Sequence, residues 1–156
     1  MGQNGSVIDL QEMLADLELL VNTESTSLHL DLLDVSAATV ATVMERRLGS
    51  APQIIPSPAG PHVLWSGGGT PRVLLVGHHD TVFPVGSVAA RPFRVADGRA
   101  TGPGVFDMKA GIVQAVHAVA SLDDRSGVEI LITADRSEEH TSELQSLTNL
   151  VCRLLL

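Results

Sequence analysis

The stretch Val73 to Val82, Val-Leu-Leu-Val-Gly-His-His-Asp-Thr-Val, constrains the fold more than any other part of the chain. Four apolar residues run straight into a glycine, two histidines and an aspartate. Such a run reads as a strand covered on both faces, as in sheets with helices packed on each side. Polar groups at the carboxyl end of such a strand lie where open α/β sheets bind their ligands. Side chains alternate along a strand, so His78 and Asp80 share one face and His79 points to the other. An imidazole beside a carboxylate is a metal ligand with its orienting group, or a general base with its orienting acid. It is also, in many proteins, an ordinary polar residue at a strand end, and Gly-His-X-Asp is short enough to arise by chance. On this stretch alone all three readings stay open.

The 156 residues suffice for one domain with its own core. Aromatics make up 3% of the chain and tyrosine is missing, so the core has to be built from Val, Leu, Ile and Ala. A net charge of −8 with only 10 scattered Lys and Arg argues against nucleic acid as a partner. A single cysteine, Cys152, excludes an intrachain disulfide framework and fits a reducing compartment. No basic segment followed by an apolar core opens the chain, and no apolar run approaches the ~20 residues that span a bilayer. The expectation is a soluble, cytoplasmic protein with no membrane partner.

Apolar residues recur at helical spacing from Val7 to Val21, with Asp9, Glu12, Asp16 and Glu18 among the other positions. Asn22 to Ser27 is a polar break; Thr and Ser in such a loop line a site in many enzymes, but solvated loop is the reading taken. Val35 to Leu48 forms a second helix, with Arg46 and Arg47 near its C-terminus and Gly49 as its stop. Gln53–Ile55 and His62–Trp65 read as short strands. The glycines at 67–69 lack the Lys-Ser or Lys-Thr and the following helix of a phosphate cradle. After the strand at Val73–Val76, Phe83 to Phe93 reads as loop. Arg94 to Thr101 reads as a hairpin turning at Asp97-Gly98. Met108 to Leu122 has a helical apolar stripe, and Val128 to Thr133 is a second apolar strand. Strand, loop, helix, strand gives a crossover unit in a partly parallel sheet.

Asp107 sits where a glycine-bearing loop, Gly102-Pro103-Gly104-Val105-Phe106-Asp107, meets that helix. Taken alone it reads equally as a helix cap. A dinucleotide fingerprint is excluded, because a carboxylate in place of the third glycine would repel a pyrophosphate. Taken together, Gly-His-His-Asp-Thr-Val at 77–82, Arg-Pro-Phe at 91–93 and Gly-Pro-Gly-Val-Phe-Asp-Met-Lys-Ala-Gly at 102–111 are far more specific. From about Leu10 to Asp135 the chain resembles the zinc metallopeptidase family of glutamate carboxypeptidase, acetylornithine deacetylase and succinyl-diaminopimelate desuccinylase. The loop after Thr81 most resembles the glutamate carboxypeptidase branch.

The resemblance implies a three-layer α/β/α zinc-hydrolase catalytic domain around a mixed sheet, with a dimerisation domain inserted later and a homodimer for the complete protein. It implies two Zn2+ ions sharing a water, with His78 and Asp107 as metal ligands and Asp80, the candidate catalytic residue, acting through His78. Asp107 would bridge the metals, next to an Asp107–Met108 peptide that is often cis in the family. The expected substrate is a small peptide or an N-acyl amino acid, cleaved at an amide bond. A deacylase of the acetylornithine type is the alternative within the enzyme class. Lys109 is expected to face solvent or pair locally, with no role.

The pattern breaks after Asp135. The family's strand leads into an acidic pair followed by glycine, whose first glutamate is the general base. Here Arg136-Ser137-Glu138-Glu139-His140 follows. Either Glu138 and Glu139 are that pair displaced by two residues, or residues 136–156 are a non-native tail that resembles a translated sequencing adapter. A two-residue displacement moves a catalytic carboxylate by several ångströms, where roughly 1 Å already costs a hundredfold. The reading taken is therefore a truncated catalytic domain over 1–135, lacking the general base and later ligands. A non-catalytic fragment with at most weak metal binding is the rival from another class.

Overall fold

A computed structural model describes residues 8–134. Its elements in chain order are α1 (Leu10–Asn22), α2 (Leu30–Leu48), β1 (Gln53–Ile55), β2 (His62–Ser66), β3 (Val73–His78), α3 (Ser87–Ala90), β4 (Arg94–Ala96), β5 (Arg99–Thr101), α4 (Ala110–Ala120) and β6 (Val128–Thr133). A single wide π turn, Val105–Lys109, leads into α4. The larger sheet has the order β1-β2-β6-β3. β1, β2 and β6 pair antiparallel, while β3 and β6 run parallel. The sheet is thus mixed, and β3–α4–β6 is the expected crossover unit.

Burial alternates along the sheet. Val63 and Trp65 of β2, Ile130 and Ile132 of β6 and Gly77 of β3 lie on one face, buried under α1, α2 and α4. The helices contribute Leu17, Leu20, Val21, Val40, Val43, Met44, Ile112, Val113 and Val116 to the same core. The opposite face, with Leu64, Leu131 and Val76, is only partly covered by the described residues. Here the expectation of a doubly buried strand needs correcting. Val73 and Leu74 are half-exposed, and among the described residues β3 is an edge strand paired with β6 alone.

Helix boundaries follow local chemistry. Asp9 caps α1, its Oδ1 accepting from the Gln11 N–H at 2.8 Å, so the helix starts at Leu10 rather than Val7. α2 starts five residues before the expected Val35. His29 makes no side-chain cap, and Leu30 is exposed, so neither a start signal nor a clean apolar stripe marks that turn in the sequence. Gly49, at φ +80°, stops α2 as expected. The hairpin β4–β5 turns at Asp97 and Gly98, both at positive φ. The loop at 83–93 contains the short α3.

Asp16 departs furthest from expectation. It lies not on the wet face of α1 but fully buried between three helices. Its carboxylate accepts from Arg47 Nε at 2.7 Å and from Arg46, and His117 Nε2 lies 2.7 Å from Oδ2. Burial raises the Asp16 carboxyl, but Arg47, His117 and Arg46 outweigh it and hold the group below its usual value. One anion on α1 thus ties α2 and α4 together.

Candidate metal centre

The strand that begins at Val73 delivers its polar end as alternation requires. His79 points into the core, 1% exposed, with Nδ1 3.0 Å from Ser36 Oγ and Nε2 3.0 Å from the Pro61 carbonyl. A carbonyl only accepts, so Nε2 carries the proton and Nδ1 accepts from the serine. Burial lowers the His79 imidazole, which keeps it neutral. It fastens the end of β3 to α2 and to the segment before β2.

His78 and Asp80 lie together on the other side. His78 Nδ1 is 3.0 Å from the Asp80 carbonyl and 3.2 Å from Asp80 Oδ1. His78 Nε2 is 3.1 Å from Asp107 Oδ1. All three residues named from the sequence therefore meet, although 29 positions separate His78 from Asp107. Asp80 is 1% exposed, whereas the Asp107 side chain is 46% exposed.

Backbone geometry sets Asp107 there. Gly104 sits at φ +76°, and a Cβ on it would come within 2.6 Å of Thr81 Cγ2, so the loop packs against the His78–Asp80 segment only because that position is glycine. Asp107 itself is extended, at φ −133° and ψ 94°, inside the π turn, and the Asp107–Met108 peptide is cis. Asp107 is thus no helix cap; α4 begins three residues later.

Both ring nitrogens of His78 face acceptors. A neutral imidazole has one N–H and can satisfy only one of them. With the proton on Nδ1 toward Asp80, the Nε2 lone pair confronts the Asp107 carboxylate, an arrangement that favours a cation between them. A second proton on the imidazole fills that place in the same way as a metal ion. Burial pulls the His78 imidazole down, yet Asp80 and Asp107 outweigh burial and raise it. A metal ion fits the same place: imidazole and carboxylate suit zinc, and two ligands of one tetrahedral zinc lie about 3.4 Å apart. Among the described residues no third His, Cys, Asp or Glu completes a cluster with them.

Two further residues lie beside the site against the readings taken from the sequence, solvated loop for one and solvent-facing for the other. The Asn22–Ser27 break is not solvated loop. Thr26 bridges Thr81 in parallel, Ser27 N donates to Thr81 O at 2.9 Å, and Ser27 Oγ donates to Asp80 Oδ2 at 2.6 Å. Lys109 corrects the other expectation. It is 3% exposed, and its Nζ donates to Leu20 O at 2.8 Å and Thr23 O at 2.9 Å at the end of α1. Burial lowers its ammonium to about 8, with Asp80 and Glu24 opposing the shift. A serine in a polar loop and a lysine after an aspartate carry no periodic signal. Only their distant partners show what they do.

The chain is similar to proteins already known. The chain is 43% identical over 72 residues to a succinyl-diaminopimelate desuccinylase of Anaplasma marginale, covering 44% of the chain and 19% of that protein. It is 40% identical over 58 residues to carboxypeptidase G2 of a Pseudomonas species, covering 37% of the chain and 14% of that protein. The fold is similar to an M20 family metallo-carboxypeptidase, Sso-CP2 from Sulfolobus solfataricus, with TM-score 0.66 and 19% identity over 79% of this chain and 30% of that one. The matched segments thus span less than a third of each relative. Among the described residues no helix is long and apolar enough to cross a membrane. The model of peptidase family M20/M25/M40 matches residues 74–151, from β3 through the site and on past the described residues. With half of its length so matched, and with His78, Asp80 and Asp107 gathered within it, the chain belongs to peptidase family M20/M25/M40.

Proposed function

We propose that the whole protein is a zinc-dependent amide hydrolase of the glutamate carboxypeptidase kind, and that this chain supplies one side of its metal centre. The observation that carries the reading is the pair of acceptors around His78, with Asp80 at 3.2 Å on Nδ1 and Asp107 at 3.1 Å on Nε2. His78 and Asp107 would hold zinc, and Asp107, the more exposed, would reach a second ion. When bound, the pair lowers the pKa of a water and polarises the scissile carbonyl. The Asp80 carbonyl at 3.0 Å and its carboxylate at 3.2 Å keep the His78 proton on Nδ1, so Nε2 stays available to bind. The general base belongs to residues after β6. Glu138 and Glu139, the candidates there, lie outside the described residues, as does the whole stretch read as a non-native tail.

Zinc content after dialysis, measured with hydrolysis of an N-acyl glutamate, tests this. Two zinc ions per molecule of the whole protein, with turnover abolished by chelator and restored by zinc, are expected. Absence of both metal and turnover in the whole protein would sink the reading. The deacylase alternative has its own support, since one relative is named a desuccinylase and the other a carboxypeptidase. N-acetylornithine offered in competition with N-acyl glutamate separates them. For the 156 residues by themselves, two ligands among the described residues favour the non-catalytic reading: weak metal binding and no turnover. A small peptide or N-acyl amino acid as substrate, a homodimer and a cytoplasmic location complete the proposal.

A further inference from the structure

We infer that Ser27, on the loop between α1 and α2, is a positioning residue of the metal centre: its hydroxyl fixes the Asp80 carboxylate that orients His78. The inference rests on the metal-centre reading above.

Asp80 is buried and its two oxygens divide the work. Oδ1 lies 3.2 Å from His78 Nδ1, an ion-pair contact beside the hydrogen bond of Nδ1 to the Asp80 carbonyl at 3.0 Å, and Oδ2 accepts from Ser27 Oγ at 2.6 Å. A carboxylate is free to rotate about its Cβ–Cγ bond, and that rotation would carry Oδ1 away from the imidazole. A short, charge-assisted hydrogen bond on Oδ2 stops it. The donor must itself be held, and it is. Thr81 N donates to Ser25 O at 2.8 Å, Ser27 N donates to Thr81 O at 2.9 Å, and Thr26 Oγ1 donates to Phe83 O at 2.8 Å. The loop is therefore bonded to the segment that follows β3, next to Asp80 in sequence.

Its other end is fixed to the other half of the site. Lys109, two residues after Asp107, donates through Nζ to Thr23 O and Leu20 O. Residues 23–27 thus span from the Asp107 segment to the Asp80 carboxylate.

Loss of an outer hydrogen-bond partner of a metal-bound histidine weakens binding ~10–100-fold. Ser27 acts one bond further out, so the lower end, about tenfold, is expected. The experiment compares Ser27→Ala, Ser27→Thr and Asp80→Ala in the intact protein. Zinc affinity is read by competition with a chromophoric chelator, and kcat and KM with an N-acyl glutamate. Ser27→Ala should bind zinc about tenfold more weakly and lose kcat with KM unchanged, while Ser27→Thr, which keeps the hydroxyl, should lie within about twofold of wild type. Should Ser27→Ala not fold, Ser27→Cys, with a weak and longer donor, should show the same loss in smaller degree. Wild-type zinc affinity in Ser27→Ala or Ser27→Cys, with affinity lost in Asp80→Ala, overturns the role of Ser27 and leaves the metal centre standing. Unchanged affinity in Asp80→Ala as well overturns the metal-centre reading and this inference with it.

Discussion

Replacing Asp16 with alanine should be among the most damaging single changes in the described structure, although the residue lies far from β3 in sequence and carries no chemistry. The carboxylate is fully buried and holds three cationic or polar partners. Arg46 is 48% exposed and can turn to water, so its share lies in the surface range, under about 1 kcal/mol. Arg47, at 15%, cannot leave and keeps only the half-exposed Glu12 carboxylate at 2.7 Å, while His117, at 5%, cannot leave at all. A buried donor stranded without its acceptor costs about 1–3 kcal/mol, and breaking a buried ion pair by removing one partner about 3–5 kcal/mol. About 4 kcal/mol is therefore expected for Asp16→Ala and under about 1 kcal/mol for Arg46→Ala. Urea unfolding reads both. At a slope of about 2 kcal/mol per molar, the Asp16→Ala midpoint should fall by about 2 M. The acid limb gives a second reading. The folded carboxyl lies below its unfolded value of about 3.9, so its stabilisation is complete above that pH and is lost as pH falls through the lower folded value. Below about pH 4 the wild type should therefore lose stability more steeply than Asp16→Ala. A loss of under about 1 kcal/mol, or equal acid limbs, would refute the argument that this anion joins α1, α2 and α4.

Lys109→Met should flatten the alkaline limb. The folded ammonium titrates near 8 against 10.5 unfolded, so wild-type stability should rise with pH there, by about 1 kcal/mol between pH 7 and 9 relative to the variant. Equal slopes in urea unfolding at the two pH values would contradict the burial of Lys109. Gly104→Ala combines a positive φ with a 2.6 Å clash on Thr81. It should lower stability by about 1–3 kcal/mol and reduce zinc content, checked by thermal unfolding and metal analysis. Asp107→Asn preserves shape but removes the charge facing His78 Nε2. Zinc affinity should fall at least tenfold with stability little changed, and an unaltered chelator titration would remove Asp107 from the ligand set.

What the sequence showed clearly was local. Strand alternation put His78 and Asp80 on one face and His79 on the other, and hydrogen bonding in the structure follows that division. The crossover from β3 through α4 to β6 followed from apolar runs separated by a helical stripe, and the hairpin from Asp97-Gly98. What stayed hidden was non-local. Asp16 fits the polar face of an isolated α1, and becomes buried only because α2 and α4 bring Arg46, Arg47 and His117 to it. Lys109 reads as surface until the end of α1 offers two carbonyls. Ser27 reads as loop until Asp80 folds against it. In each case a polar side chain was assigned to solvent for want of a visible partner. A buried polar group needs such a partner, and a partner 30 to 101 residues away leaves no trace in local spacing. The misassigned residues are therefore informative as a set. They are polar links that join α1 and the loop after it to the rest of the domain. Two of them lie close to the metal residues: Lys109 is two residues after Asp107, and Ser27 bonds Asp80, two residues after His78.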